Sequence, residues 1–188
     1  MNGTTVFFDL ETGGLELHHP IIQIAAIAVG PGWKELETVE VKLHFVPDLC
    51  TREALEVNSY DPAVWASEAV GEAEAKRQLD PFFERHKTWD LVSRAGNAYK
   101  ATRIAGHNAK EFDAPRLRQW WGGYTPFSWW YCFDTVQLAL WWFATKGEKQ
   151  PRNYQLVTLC EHFGIEHADA HDALGDVRAT IALAKRLS

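Results

Sequence analysis

Two segments near the N-terminus restrict the possible folds of this chain more than any other feature. Residues 21–29 contain a single polar side chain, and residues 4–10 are centred on Val6, Phe7 and Phe8. Both segments are far shorter than the ~20 apolar residues that cross a membrane as a helix, so we expect strands that are buried on both faces. Residues 39–45 alternate apolar and polar side chains, which is typical of a half-exposed strand. The three segments predict an antiparallel meander at the start of the fold.

Helical signals dominate after residue 47. Residues 62–98 are predicted to be rich in helix, with interruptions near Gly71 and at Asp80-Pro81. The other predicted elements are a fourth strand at 103–106 and helices at 113–121, 134–147, 156–163 and 172–187. No repeat or linker divides the chain, so the sequence predicts one α/β domain over residues 1–188, with a mixed sheet flanked by helices.

Charge and cysteine content limit the partners and the compartment. The 19 basic and 25 acidic residues give a net charge of −6, which argues against a broad basic surface wrapped by duplex nucleic acid. A compact site in which metal ions hold phosphates is still compatible with that charge. Five basic residues could contact a few phosphates: Arg116, Arg118, Lys146, Lys149 and Arg152. The three cysteines are far apart and the N-terminus resembles no signal peptide, so we expect reduced thiols and a cytoplasmic protein without membrane attachment.

Two carboxylates follow the first buried strand. Asp9 and Glu11 are two residues apart, so on a strand both side chains point to the same face. Neighbouring carboxylates repel each other unless a cation lies between them, and hard oxygen ligands suit Mg²⁺ or Mn²⁺. The alternative is that the strand frays at this point and that water solvates both groups.

Two further clusters contain acids at the beginning of predicted helices. Asp113 precedes an Ala-Pro pair, where it is a simple N-cap, a functional carboxylate whose ionised form the helix dipole favours, or both, since the two roles are compatible. Asp172 is the natural N-cap of the last helix, which leaves Asp176 inside its first turns. His171 is either an ordinary loop residue or a base, because histidine can accept a proton near neutral pH.

The three clusters together resemble the DEDDh exonucleases, the DnaQ-like branch of the ribonuclease H-like superfamily. The motifs are DLETGG from Asp9, HN followed by FD from His107 to Asp113, and HDALGD from His171 to Asp176. Their order and spacing agree with the family over nearly the whole chain. The resemblance implies a ribonuclease H-like fold and a 3′–5′ exonuclease that releases nucleoside 5′-monophosphates.

The resemblance also implies roles for individual residues. Two Mg²⁺ or Mn²⁺ ions would be held by four carboxylates: Asp9, Glu11, Asp113 and Asp176. His171 would act as the general base that takes a proton from the attacking water. Substrate contacts would come from the first two motifs, at Thr12, Gly13, Gly14, Leu15, His107 and Asn108. Leu15 would wedge against the terminal base, with ordinary core packing as its alternative, and Asn108 would either contact the substrate or cap a helix.

The polymer remains open at this point. Single-stranded DNA is the expected substrate, with short or single-stranded RNA as the nearest alternative, because no residue pattern identifies a 2′-hydroxyl reader. A polymerase or another replication or repair protein is a possible partner, and a non-catalytic module beside a polymerase is the alternative from a different class. A haloacid dehalogenase-type phosphatase is disfavoured, because its second acid would be Asp and its later motifs are missing. In the tryptophan-rich segment 120–142, Trp129 and Trp130 either stack on bases or pack in the core.

Overall fold

The structure is a computed structural model that describes residues 3–123, 125–127, 131–167 and 171–188. Five strands form a mixed sheet in the order β3-β2-β1-β6-β7, and two further strands pair separately as β4-β5. The strands are β1 (Thr5–Thr12), β2 (Ile21–Val29), β3 (Glu35–Lys42), β4 (Trp89–Val92), β5 (Ala98–Ala101), β6 (Ile104–Gly106) and β7 (Phe133–Asp134).

The first three strands form the predicted antiparallel meander. Strand β1 pairs antiparallel with β2, and β2 pairs antiparallel with β3. Strand β6 then pairs parallel with the other edge of β1, and β7 pairs parallel with β6. The predicted mixed α/β sheet is therefore confirmed. Because β1 and β6 are parallel, their C-terminal ends lie next to each other.

Seven α-helices follow or interrupt the strands in the described part of the chain. They are α1 (Arg52–Val57), α2 (Pro62–Glu68), α3 (Glu72–Arg85), α4 (Asp113–Trp120), α5 (Thr135–Lys146), α6 (Leu156–Phe163) and α7 (Ala173–Leu187). The caps expected from sequence are present, because Asp134 accepts a hydrogen bond from the Val136 amide and Asp172 accepts one from the Gly175 amide. None of these helices is long and apolar enough to cross a membrane.

The two faces of the sheet are covered by different helices. One face packs against α3 and α4 through β1 residues Phe8 and Leu10. The other face packs against α7 through Phe7, while α5 and α6 pack on the outer side of α7. Because side chains alternate along a strand, the even-numbered residues of β1 face α3 and α4, and the odd-numbered ones face α7.

The region after α2 differs from the prediction in two ways. Helix α3 continues through Pro81, because Leu79, Phe82 and Phe83 are buried against the sheet and outweigh the missing backbone donor. Residues 89–101 form the β4–β5 hairpin, although residues 89–98 were predicted to belong to a helix-rich stretch. In the hairpin, Trp89 and Leu91 are half-buried and alternate with exposed residues, and Gly96 has a φ of +83°, which suits a turn.

The tryptophans of α5 differ in burial, and the cysteines are not paired in disulfides. On α5, Trp142 is buried and Trp141 is 70% exposed, as expected for adjacent residues on a helix. Trp129 and Trp130 lie outside the described residues, so their role stays a prediction. The three cysteines are free thiols, and Cys160 is buried.

Candidate active site

Strand β1 brings two carboxylates to the N-terminus of α7. Asp9 and Glu11 lie on the face of the strand that packs against this helix, and Asp176 lies in its first turns. Carboxylate oxygens of the three residues lie within 4.8 Å of one another. Glu11 is only 7% exposed, so the alternative of a frayed strand with solvated acids is wrong. We refer to Asp9, Glu11 and Asp176 as the acid cluster.

A fourth carboxylate enters from the neighbouring strand. Strand β6 ends at Gly106 beside β1, and the following loop leads into α4, whose first residue is Asp113. Asp113 is 3% exposed and is not the N-cap, because Phe112 holds that position without a side-chain hydrogen bond. The expectation of a simple N-cap is therefore wrong. Parallel strands deliver their following loops to one edge of a sheet, which explains why the motifs meet.

Burial and mutual repulsion favour the protonated form of these acids. Burial, followed by the charges of Asp113, Glu11 and Asp176, raises the pKa of Asp9 well above its usual range. Burial, followed by the charge of Asp176, raises the pKa of Glu11 to about 8. Two charges of like sign at this separation in a poorly solvated site repel strongly.

The pKa of Asp113 is also raised by burial, but one positive neighbour opposes the shift. Burial raises its pKa to about 8, although the charge of Arg116 and hydrogen bonds from the Asp113 and Leu10 backbone amides oppose that shift. The expectation that the helix dipole keeps this group ionised is wrong for the metal-free protein, because burial outweighs the dipole.

The acid cluster has the donor set of a site for hard divalent cations. It offers only carboxylate oxygens, which Mg²⁺ and Mn²⁺ prefer. A cation would relieve the repulsion that raises the pKa of Glu11 and Asp9. Asp113 faces the same charges and could bind a second ion at the edge of the cluster. The residues present therefore fit a divalent metal.

Two histidines that precede α7 differ in their exposure and in their contacts with the acid cluster. His171, the predicted base, is exposed and adopts a φ of +66°, which costs a non-glycine residue roughly 1–2 kcal/mol. It lines a cavity of about 340 Å³ together with Asp172 and Gln23. His167 instead lies inside the protein, where its Nε2 is 2.5 Å from Oδ1 of Asp176. The structure thus brings His167, and not His171, into hydrogen-bonding contact with the cluster.

The second motif is held in place by the start of α5. Oδ1 and Oδ2 of Asp134 accept hydrogen bonds from the backbone amides of Asn108 and Lys110, both at 3.1 Å. His107 lies 2.8 Å from the Thr135 hydroxyl and 3.0 Å from the Tyr154 carbonyl oxygen, so both ring nitrogens are used within the protein. Burial lowers the pKa of His107, which favours its neutral form.

These contacts bear on the substrate roles expected for the second motif. Asn108 is exposed, and its φ is +56°. Its side chain does not act as the cap of α4, because that cap is Phe112. A substrate contact by Asn108 or His107 stays a prediction. Gly106 is needed here, since a Cβ at this position would lie 2.4 Å from the Ala109 Cβ and 2.9 Å from the Phe8 carbonyl oxygen.

The loop after β1 forms one side of a cavity beside Glu11. The Thr12 hydroxyl donates to the Gly14 carbonyl oxygen at 2.9 Å, and the Gly13 amide donates to the Pro20 carbonyl oxygen at 2.8 Å. A Cβ on Gly14 would lie 2.6 Å from the His19 ring, so the turn is too tight for a side chain. Leu15 follows with 81% of its surface exposed, and core packing is therefore excluded as its role.

This cavity, which we call the Leu15 pocket, has a volume of about 580 Å³. Its walls are the loop residues Gly14, Leu15 and Glu16, together with α1 and Phe112. It is mostly apolar and opens beside a carboxylate of the acid cluster, as expected for a site that holds a base next to a reacting phosphate. The Asn58 side chain donates to the Thr12 carbonyl oxygen at 2.9 Å and ties α1 to the loop.

Sequence reasoning missed three residues that support the site. His167 contacts Asp176, Asp134 holds the backbone of the second motif, and Arg116 is buried in α4 instead of exposed to phosphates. Asp134 was identified only as a helix cap. In the sequence, Arg116 and His167 cannot be distinguished from surface residues, because their burial depends on how the chain packs.

Comparisons with known proteins agree with this geometry. The RNase_T model of exonucleases matches residues 6–184. Exodeoxyribonuclease I of Escherichia coli (strain K12) is 34% identical in an alignment 99 residues long, which covers 45% of this chain and 21% of the relative.

Solved structures of that relative share the fold. A crystal structure of E. coli exonuclease I with a dT13 oligonucleotide has a TM-score of 0.76 and 25% identity, and the match covers 99% of this chain and 41% of that one. The zinc-ion-bound form of the E. coli ExoI–ssDNA complex has a TM-score of 0.76 and 26% identity, with coverage of 98% and 40%. This chain therefore spans about two fifths of the length of those structures.

Proposed function

Because the chain belongs to the RNase_T family of exonucleases, we propose that it hydrolyses single-stranded DNA from the 3′ end and releases nucleoside 5′-monophosphates. The observation that carries the proposal is the acid cluster, in which Asp9, Glu11 and Asp176 approach within 4.8 Å beside the Leu15 pocket. All four acids and the histidine of the DEDDh pattern are present, which argues against a non-catalytic module.

The carboxylates would hold the metal. Asp9, Glu11 and Asp176 would hold one Mg²⁺ or Mn²⁺ ion, and Asp9 with Asp113 would hold a second. Such ions stabilise the attacking and leaving oxygens of an in-line displacement at phosphorus. The burial that raises the pKa of these groups in the metal-free protein also excludes water, which strengthens their interaction with a cation.

His171 would accept the proton of the attacking water. It lies just before α7, five residues from Asp176, and its ring is exposed to solvent. Proton transfer by a positioned side chain contributes roughly 10²–10⁴-fold to a rate. His167 is already bonded to Asp176 and would orient that ligand.

DNA is proposed as the polymer because of the relatives. Exodeoxyribonuclease I is named for DNA, and the related structures contain a dT13 oligonucleotide or single-stranded DNA. The net charge of −6 fits a site that binds one strand end and few phosphates. A cytoplasmic location and a replication or repair partner stay predictions from the sequence.

The test uses one sequence in several forms with Mg²⁺ or Mn²⁺. A 5′-labelled single strand should give a ladder that shortens from the 3′ end, whereas degradation from the 5′ end would release the label at once. Matched RNA should react more slowly, since DNA is the proposed polymer. Blunt duplex DNA should also react more slowly, because unpairing a terminal step costs a few kcal/mol. If the RNA is the faster substrate, the chain is an exoribonuclease.

Two modified strands sharpen the result. A 3′-phosphate should block the reaction, because its negative charges would approach Asp9 and Glu11, whereas a 5′-phosphate should have little effect. A circular single strand should remain intact. Cleavage of the circle at the rate of the linear strand would identify an endonuclease and refute the proposal.

A further inference from the structure

A buried arginine lies within one turn of a metal-binding carboxylate. Arg116 is on α4, three residues after Asp113, and is 7% exposed. Arginine is rarely buried this deeply unless its charge is paired. In the described part of the chain, however, no carboxylate lies within salt-bridge distance of its guanidinium, although Asp113 and Glu16 act on it through space.

The guanidinium instead bonds to two backbone carbonyls. Nη1 donates to the Phe112 carbonyl oxygen at 2.7 Å, and Nη2 donates to the Leu15 carbonyl oxygen. The guanidinium carbon also lies 3.5 Å from the centre of the Phe112 ring, in stacking contact. Leu15 and Phe112, which supply these two carbonyls, both line the Leu15 pocket.

The contact matters most for Leu15. The base of its loop is fixed by the hydrogen bonds of Gly13 to Pro20 and Thr51. Beyond Gly14, and among the residues that the structure describes, the hydrogen bond that ties Leu15 to another element comes from Arg116. The Leu15 side chain is 81% exposed, so packing does not hold it either.

We propose that Arg116 is a positioning residue that fixes the gap between Leu15 and Phe112 and thereby sets how tightly the pocket holds the terminal base. The proposal rests on the proposed function, because the base belongs to the 3′-terminal nucleotide. Arg116 would act through the two pocket walls, without touching the reacting atoms. Its charge would in addition offset part of the repulsion around Asp113.

The decisive substitution is Arg116→Lys. Lysine keeps the positive charge near Asp113 but lacks the planar fork that reaches two carbonyls and stacks on a ring. Arg116→Met removes the charge as well. Arg77→Lys is the matched control, because Arg77 is an exposed arginine on α3 that bonds to Glu74 of the same helix.

Two single-stranded substrates distinguish an effect on binding of the terminal base from an effect on the hydrolytic step. One ends in a normal nucleotide, and the other ends in an abasic residue. In Arg116→Lys we expect kcat/KM on the normal strand to fall roughly 10- to 100-fold, the scale of a misplaced substrate. The abasic strand should change little, and Mn²⁺ binding should be unaffected. A parallel loss on both strands, or a loss of Mn²⁺ binding, would overturn the positioning role.

A second measurement requires no substrate. Amide hydrogen exchange over residues 13–19 should be faster in both Arg116 variants and unchanged in Arg77→Lys. Unchanged exchange in the Arg116 variants would refute the contact with Leu15 as the element that holds the loop. If the unaltered protein degrades no strand, the proposed function fails, and the exchange measurement still decides whether Arg116 holds the loop.

Discussion

The two faces of strand β1 both pack against helices, but they are chemically opposite. Toward α3 and α4 the strand presents Phe8 and Leu10, at most 5% exposed and packed against apolar side chains. Toward α7 it presents Asp9 and Glu11, whose charges are desolvated and mutually repelling. The first face stabilises the fold, and the second costs stability in the metal-free protein.

Apolar and acidic side chains also follow one another on the single face of β1 that packs against α7. Phe7 packs against Ala173 and Val177 of α7, and two residues later Asp9 faces the same helix. The acids are thus held by the core that surrounds them and cannot separate to relieve their repulsion. Rigid support of this kind keeps metal ligands in place, at the expense of the stability of the protein without metal.

The largest expected effect comes from removing one acid. Asp9→Asn should lower kcat by about 10³-fold or more, since a metal ion stabilises the reaction by several kcal/mol. The fold should remain intact and the metal-free protein should become slightly more stable, because one repelling charge is gone. Hydrolysis of a labelled single strand and urea denaturation measure the two effects.

The controls for Asp9→Asn lie on the same strand and on a distant one. Phe8→Ala, on the other face, should lower the free energy of unfolding by about 3–5 kcal/mol. Asp90→Asn removes an exposed acid of β4 and should change neither quantity. Near-normal turnover in Asp9→Asn would contradict the assignment of the acid face as the metal site.

The second prediction concerns the exposed histidine. His171→Ala should lose roughly 10²–10⁴-fold in turnover while Mn²⁺ binding is retained, because only proton transfer is removed. Higher pH should restore part of the rate, since hydroxide then forms without a base. An equal loss of Mn²⁺ affinity, measured by calorimetry, would make His171 a metal ligand instead of a base.

The buried histidine should behave in the opposite way. His167→Phe removes the hydrogen bond to Asp176, and the partner of a metal ligand typically contributes 10–100-fold, so Mn²⁺ affinity should fall by about that factor. His86→Phe is the matched control, because its Nε2 lies 3.0 Å from Glu37, away from the acid cluster. Similar losses of Mn²⁺ affinity in both variants would point to general destabilisation.

The sequence predicted the apolar framework well, for a physical reason, whereas the metal-binding role of the four acids stays a prediction. Periodicity and caps depend on neighbours in the chain, so the N-terminal meander and the cap at Asp172 were identified correctly. The three motifs could be placed together because strand order in such folds follows simple rules. The β4–β5 hairpin was missed, since each of its strands spans only four residues, too few to distinguish the period of a strand from that of a helix.

The contacts that hold the site residues in place were harder to predict from the sequence. Whether an arginine is buried or a histidine meets a carboxylate depends on contacts between residues distant in the chain, such as Arg116 with Leu15 and His167 with Asp176. The ionisation of Asp113 was predicted in the wrong direction for a similar reason. The helix dipole is a local effect, but burial comes from the whole fold.

The smallest predicted effect is a dependence of stability on pH that a metal ion should remove. In the folded metal-free protein the pKa values of Glu11 and Asp113 are about 8, compared with ordinary values of 4.5 and 3.8. Between about pH 4 and pH 8 the folded state therefore holds more protons than the unfolded state, so stability should fall as pH rises through this window. Each kcal/mol lost lowers Tm by roughly 2–4 °C for a chain of this size, and we expect a drop of several degrees in calorimetry.

Mn²⁺ requires ionised ligands and should raise Tm more at pH 8 than at pH 5. Asp9→Asn should flatten the metal-free profile, whereas Phe8→Ala should lower Tm at every pH without changing its slope. A metal-free Tm that rises from pH 5 to pH 8 would show that the acid face of β1 does not carry the repulsion inferred here.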